Sequence, residues 1–323
     1  MKARIFPPTS AHLRRLAQVL RRGGLVAIPT ETVYGLAAPA LDAKACRAIF
    51  RAKGRPANDP LIVHVLDLAH AEQLAEFNAA ARRVVRRFWP GPLTIVLPRK
   101  ACVPDIVTSG GDTVALRAPA HPLAREMLEL AGVPLAAPSA NPFSYISPTS
   151  AAHVQQGLGN RIGHILDGGE CPIGVESTVL DLTNPNRPRI LRPGAISASQ
   201  LTKVLKTKVT TVRRAAKAGA RQIAPGLLAK HYSPRTPLSL SARPRQPTPD
   251  KAVIFLRQPA GPQVAGAYWL SRRGALPEIA RNLYRVLREA DAGGHRQIVI
   301  ERLPPTADGL ATAINDRLRR ACA

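Results

Sequence analysis

The sequence predicts a mixed α/β chain in two domains joined by a basic connector. Three observations carry that reading. The chain has 323 residues, about two domains at roughly 150 residues each. Short apolar runs of strand length alternate with segments of helical period in both halves. Between them, residues 182–249 hold fourteen Lys and Arg and no Asp or Glu. Hydrophobic residues make up 45%, which excludes global disorder and supplies a core for each half.

Residues 12–22 place Leu13, Leu16, Ala17 and Leu20 at helical spacing and stop at Gly23-Gly24. Residues 25–28 form a short buried strand ended by Pro29. Residues 43–52 read as a helix ended by Gly54, residues 61–65 as a strand, and residues 72–88 as two helical stretches. Residues 93–97, 113–116 and 177–182 read as strands. The pattern fits a twisted sheet with flanking helices and by itself leaves α/β and α+β both open. The first domain is assigned to residues 1–206 and the connector to 207–250. Within the connector, residues 208–221 read as a solvated basic linker. Residues 224–237 contain three prolines and a glycine, which favour an extended path with fixed turns. From residue 251 to 323 the pattern resumes, with strands at 252–256, 265–270 and 297–300 and helices at 276–290 and 310–318. This predicts a small Rossmann-like unit, without the Gly-x-Gly-x-x-Gly phosphate loop.

Lys plus Arg is 46 and Asp plus Glu is 21, a net charge of +25. Such a balance favours polyanionic partners: nucleotides, RNA or anionic lipid. The four cysteines, Cys46, Cys102, Cys171 and Cys322, form no CxxC pair. Scattered thiols fit a reducing cytoplasm better than a disulfide framework. Neither a signal-type apolar stretch near the start nor an apolar run of about 20 residues occurs, so a cytoplasmic protein without a membrane span is expected. No Walker loop, HExxH or GxSxG motif is present.

The chemistry-bearing residues sit at strand and helix ends. Pro29 to Leu36, PTETVYGL, follows a buried strand directly, so Thr30, Glu31 and Thr32 stand where open α/β sheets present ligand contacts. Lys53 and Arg55 flank Gly54 at a helix end. They either stabilise the helix dipole or grip phosphates. His64 closes the apolar strand of PLIVH, and Arg117 closes the strand that starts at Thr113. A guanidinium there suits a carboxylate, bidentately. Ala137, Ser139 and Asn141 lie in the Pro-bounded loop APSAN, and Ser147 opens SPT. Each is ordinary turn chemistry on its own.

In their order, PTETVYGL, KGRP, PLIVH, LRAPAHPLA, APSAN, SPT, GVESTVLDL and ILRPGAI resemble the threonylcarbamoyl-AMP synthases, enzymes with a YrdC-type domain. The connector PGLLAKHYSPRTPL and the C-terminal AINDRLRRA resemble the two-domain form of that family, so the likeness spans nearly the whole chain. It implies an α/β fold: a YrdC-type twisted sheet with a basic concave cleft, plus the small C-terminal domain. It implies a nucleotidyltransferase that joins L-threonine, bicarbonate and ATP into threonylcarbamoyl-AMP and pyrophosphate, with Mg²⁺ accompanying ATP. A separate threonylcarbamoyl transferase complex would then pass the group to an adenosine beside the anticodon of tRNA, and direct contact with tRNA is a further expectation.

Carried over by position, the resemblance assigns Thr32, His64, Arg117, Ala137 and Ser177 to threonine. Arg55, Thr113, Ser139, Asn141, Ser147, Arg192 and Tyr232 fall to ATP, with Lys53 and Arg55 as the catalytic cations. Tyr232 in the connector makes residues 224–237 a lid. The Mg²⁺ ligands stay unassigned. Asp59 departs from the family, which often has Asn there, and an acid so placed would repel phosphate unless it binds Mg²⁺ or sugar hydroxyls. Two other readings remain at this stage. One is an RNA-binding protein using the basic domain without catalysis. Its aromatic content of 4% gives it few stacking platforms. The other is a related carbamoyl-transfer enzyme.

Overall fold

The computed structural model describes residues 2–212, 221–262, 264–304 and 309–323. Among them, an eleven-stranded mixed sheet forms the first domain. Its spatial order is Arg4–Phe6, His164–Leu166, Val26–Ile28, Gly35–Pro39, Leu135–Ala136, Ile62–His64, Thr113–Arg117, Leu93–Pro98, Thr178–Asp181, Arg189–Arg192 and Thr210–Thr211. Ile62–His64 runs parallel to Thr113–Arg117, in a register that sets His64 beside Arg117. Its other neighbour, Leu135–Ala136, is antiparallel.

Local signals explain the helices that frame this sheet. Ser10–Arg21 buries Leu13, Leu16, Ala17 and Leu20, and the Thr9 hydroxyl caps it by accepting from the His12 amide. Ala43–Lys53 starts at Asp42, whose carboxylate accepts from the amides of Lys44 and Ala45. It ends at Gly54 in the left-handed region, φ 64°. Glycine carries no steric penalty there. The turn it makes sends Lys53 and Arg55 into the protein interior.

The second domain is a four-stranded parallel sheet, ordered Leu238–Ser241, Gln297–Glu301, Lys251–Arg257 and Ala267–Ser271. Helices Leu276–Ala292 and Gly309–Ala321 accompany it, the first burying Ile279, Leu283, Val286 and Leu287 as its period predicts. One apolar cluster joins Ile279, Leu283, Tyr284, Ile314 and Leu318 of this domain to Val33, Ile146 and Val175 of the first, with Tyr232 of the connector between them.

The sheets reach further than the sequence pattern suggests. Thr210–Thr211 pairs with Arg189 and Ile190, and Leu238–Ser241 pairs with residues 298–301. Both strands lie inside residues 207–250, so the connector proper is shorter than assigned. Of the basic stretch 208–221, residues 213–220 lie outside the described residues. Gly35–Pro39, Leu135–Ala136 and Arg189–Arg192 are strands that the pattern does not announce. They are short and rich in Gly, Ala, Pro or Arg, and pairing with buried neighbours outweighs their weak strand propensity.

Candidate active site

A cavity opens where Ile62–His64, Thr113–Arg117 and the exit of Val26–Ile28 converge. At one end stand Thr32, His64 and Arg117, all buried. Arg117 ion-pairs with Glu31 at 2.7 Å and donates to the Thr32 hydroxyl at 2.9 Å. Its Nε has no hydrogen-bond partner. Burial works to raise the Glu31 carboxyl, but the charge and hydrogen bond of Arg117 hold it below the ordinary carboxylate range. Burial, helped by the positive charge of Arg117, pushes His64 down to about 3. The imidazole is therefore neutral, and its Nδ1 is unpartnered. A guanidinium with a spare N–H, a hydroxyl and a neutral imidazole form a site for a small polar zwitterion.

The other end is cationic. Lys53 donates to the carbonyls of Ser139 and Asn141, each at 2.5 Å. Burial and the adjacent Arg55 hold its ammonium well below the lysine range, against the pull of Asp59. Arg55 donates from Nε to the Asp59 carbonyl at 2.9 Å and pairs with the Asp59 carboxylate at 2.9 Å. Asp59 is fully buried, and burial raises its pKa while Arg55, Lys53 and Arg192 oppose the rise. Arg192, also buried, donates to the Ser177 carbonyl and hydroxyl at 3.2 and 3.1 Å. Burial depresses Arg55 and Arg192 alike. Two desolvated cations facing the cavity, Arg55 and Arg192, with Lys53 behind them, suit a polyphosphate, because an anion would relieve the desolvation they now bear.

Residues 224–237 cover that end. Pro225, Gly226, His231 and Tyr232 line the cavity. Gly226 has φ 79°, and a Cβ there would lie 2.8 Å from the Tyr232 hydroxyl and 3.2 Å from Arg192 Nη1. Only glycine fits so close an approach. Tyr232 itself has φ 64°, a left-handed strain that surrounding contacts must hold. The Tyr232 hydroxyl is buried without a hydrogen-bond partner. The space left inside is about 40 Å³, room for a few waters and far too little for a nucleotide. Residues 225, 226, 231 and 232 thus narrow the cavity at its cationic end.

Comparison with known proteins places this geometry. A family model described as Telomere recombination (Sua5/yciO/yrdC) matches residues 18–194. A second, described as Threonylcarbamoyl-AMP synthase, C-terminal domain, matches residues 196–323. The threonylcarbamoyl-AMP synthase of Pyrococcus abyssi is 42% identical over 96% of this chain and 93% of its own.

The chain belongs to the threonylcarbamoyl-AMP synthase family in its two-domain form.

It is thus an enzyme of the nucleotidyltransferase type. The Bacillus subtilis synthase is 38% identical, covering 96% of this chain and 92% of its own. Among solved structures, P. abyssi Sua5 complexed with L-threonine superposes with a TM-score of 0.90 at 39% identity, over 99% of this chain and 98% of that one. A double variant of the same protein, with His and Tyr replaced by Ala, gives 0.87 at 36% identity, over 99% and 97%.

Of the residues assigned through the synthase resemblance, Thr32, Arg55, His64, Arg117, Ala137, Ser139, Arg192 and Tyr232 line the cavity together. Lys53, Thr113, Asn141, Ser147 and Ser177 stand outside its lining. Lys53 lies one layer back, against the Ser139–Asn141 backbone. The Asn141 amide donates to the carbonyls of Pro142 and Tyr145, shaping that loop. Ser147 donates to Glu176 at 2.6 Å, and the Ser177 hydroxyl is shared with Thr94 and Arg192. Thr113 is half-buried at the start of its strand.

Other residues at the site lie outside the assigned set. Glu31, named above at the strand exit, pairs with Arg117, and Glu176, inside GVESTVLDL and without a signal of its own, pairs with Arg317. Asp59 pairs with Arg55, so its negative charge is compensated where it stands. His231, next to Tyr232, is buried against the Tyr232 ring, with centroids 4.0 Å apart. Among the described residues no group of three His, Cys, Asp or Glu could hold a metal ion. Each carboxylate at the cavity is already engaged by an arginine. The side chains therefore do not fit a resident, all-protein Mg²⁺ site. Such an ion would have to come with its own phosphate and water ligands. No helix among the described residues is long and apolar enough to cross a membrane.

Proposed function

We propose that this enzyme makes threonylcarbamoyl-AMP from L-threonine, bicarbonate and MgATP, for transfer to tRNA by a separate complex. The observation that carries the reading is the opposition, around one cavity, of the Arg117 end and the Arg55–Arg192 end, with Lys53 behind the latter. Threonine's carboxylate pairs with Arg117 in place of Glu31 or beside it, using the spare Nε. Its hydroxyl meets Thr32 and neutral His64. Its amine adds to bicarbonate with loss of water, giving a carbamate. A carbamate oxygen then attacks the α-phosphorus of ATP, and the bond to the bridging oxygen breaks to release pyrophosphate.

Both reactants are anions, so the uncatalysed encounter is repulsive. Arg55 and Arg192, with Lys53 behind them, offset that repulsion and stabilise charge developing on the leaving group. Mg²⁺ enters on the phosphates as part of the substrate. The lid excludes water, which would hydrolyse both the carbamate and the mixed anhydride. The density of positive charge, +25 overall, supports direct contact with tRNA during delivery. Pyrophosphate release dependent on threonine, bicarbonate and MgATP tests the reading. Release independent of threonine refutes the assigned amino-acid end, and no release refutes the synthase reaction.

A further inference from the structure

Two helices cover the face of the first sheet that lies away from the cavity. Along the strands, Ile95, Leu180 and Ile190 point to one side and share a core with Val84 and Val85 of helix Ala79–Phe88 and with Leu201 and Leu205 of helix Ala198–Leu205. Val96, Val179 and Leu191 alternate to the other side, where they meet Ile62 of the cavity wall and Ala224 of the connector. The two helices pack against each other. Their outer surface, continued by the residues just after the second, exposes Arg83, Arg86, Arg87, Lys203, Lys206 and Lys208.

No acid on either helix offsets these charges. Residues 77–104 and 182–249 contain no Asp or Glu, and the fold lays pieces of both stretches side by side. Among the described residues, none of the six cations pairs with a carboxylate. Of the acids that flank the helices in sequence, Glu72 pairs with Arg82 and Asp181 with Arg189, while Glu76 is exposed just before the first helix. Helix Ser10–Arg21 also carries arginines, but it packs against Pro122–Ala131, which brings Glu126 and Glu129. At the C-terminal end of the first basic helix, Trp89, Leu66, Leu68 and Pro90 wall a pocket of about 200 Å³ that Arg86, Arg125 and Asp67 also line. The indole N–H donates to the Leu93 carbonyl at 2.7 Å, which fixes the ring. A fixed ring beside cations suits a stacked base. A membrane surface would instead need an exposed apolar helix face, and here Val84, Val85, Leu201 and Leu205 are all buried against the sheet.

We propose that this ridge is an RNA-binding surface: its cations hold backbone phosphates, and the Trp89 pocket takes one unpaired base. The ridge lies on the opposite face of the sheet from the cavity, so a bound RNA leaves the cavity free to turn over. The inference rests on the tRNA contact proposed above and assigns it a place. It does not need the synthase chemistry.

The test measures binding of unfractionated tRNA to the full chain across a salt series. Arg83→Gln, Arg87→Gln, Lys203→Gln and Lys208→Gln together should weaken binding about tenfold or more and flatten the log–log salt slope by about 3, close to one ion per lost contact. Arg14→Gln, Arg22→Gln, Arg272→Gln and Arg273→Gln together remove the same charge elsewhere on the surface and should leave affinity and slope near wild type. Trp89→Leu should weaken binding several-fold with the slope unchanged, because no phosphate contact is lost. Cooperative thermal unfolding shows that each variant is folded, and each should release pyrophosphate as wild type does. Equal losses in the two fourfold variants, or none in the first, overturn the ridge while the tRNA contact stands. Trp89→Leu binding as wild type removes the base pocket. Wild type that ignores tRNA but binds phosphatidylserine vesicles overturns the inference in favour of a membrane. Binding lost only in the ridge variant, in a chain whose wild type releases no pyrophosphate, upholds the ridge and refutes the synthase reaction.

Discussion

At the Arg117 end of the cavity the cation is aimed by side chains: Glu31 and Thr32 grip it and leave Nε free. At the Lys53 end the cations are aimed by backbone, with Lys53 on two carbonyls and Arg55 on the carbonyls of Asp59 and Pro60. The first arrangement is ready for a carboxylate of fixed size. The second, closed down under Tyr232, has cations in place but no room for a nucleotide. The contrast separates two kinds of preparation. On the synthase reading, threonine would need only a docking site, whereas ATP would need more room and phosphate in place of the carbonyl partners of the cations.

The largest effect should come from breaking the cationic end. Lys53→Ala or Arg55→Ala should lower turnover by about 10²-fold or more, the loss typical of a preorganised donor to developing charge. Lys53 is no surface helix-end charge, being fully desolvated with two carbonyl acceptors. Its removal should therefore also cost about 1–3 kcal/mol in stability. Near-normal pyrophosphate release in either variant would remove the catalytic role.

The threonine end is sharpened by Arg117→Lys. A lysine keeps the charge but loses the fork, so KM for threonine should rise roughly 10- to 100-fold, the range of a charged hydrogen bond. KM for ATP should move little. Equal rises in both constants would mean that the two ends are not separately prepared.

Substrate analogues probe the same end more gently. Serine lacks one methyl and should be about tenfold or more poorer than threonine. Valine keeps the shape but leaves Thr32 and His64 unpaired, so it should fall below serine. Pyrophosphate release at matched concentrations decides it, and valine outperforming serine would show that the pocket reads shape alone.

The last effect is of pH, and it acts on stability rather than on turnover. His64 and His231 are both pushed down to about 3 by burial, the first mainly with Arg117 nearby and the second with Arg55 and Lys53. Each binds a proton in the unfolded chain near 6.5 and none in the folded one until far lower pH. Folded stability is thus complete above about pH 6.5 and falls as pH drops towards 3, by up to about 1.4 kcal/mol per pH unit for each histidine. Glu176, lowered to about 2, adds a loss of the same sign below about 4.5. Chemical denaturation between pH 8 and 4 measures this, and a flat profile would mean that the two histidines are not buried neutral in solution.

How much of this was legible follows from where each signal is stored. The amphipathic period of residues 12–22 and the Gly54 stop are local, so the helix and the Lys53–Gly54–Arg55 turn could be read directly. The order of the motifs also carried the synthase resemblance and eight residues that now line one cavity. The strands Gly35–Pro39 and Leu135–Ala136 were not legible, because their Gly, Ala and Pro residues have weak strand propensity and become strands by pairing with each other and, for Gly35–Pro39, with Val26–Ile28. Among the acids, Glu31 was legible as a residue at a ligand-presenting strand exit and Asp59 as a departure from the family, whereas Glu176 gave no signal. What each does appears only when Arg117, Arg55 and Arg317 are placed against them.

By itself the sequence determined the two α/β units, the basic connector, the residue types at the strand ends and the family they resemble. Those are set by local period, composition and motif order, all of which travel along the chain. Tertiary structure decided which cations face the cavity and which stand behind it, that each acid there has an arginine partner, and that the last helix packs against the connector at His231. Such facts depend on burial and on pairing between residues far apart in the chain, 141 positions for Arg317 and Glu176. The desolvation that makes a charge costly or useful is a property of the folded surroundings, and no single segment carries it.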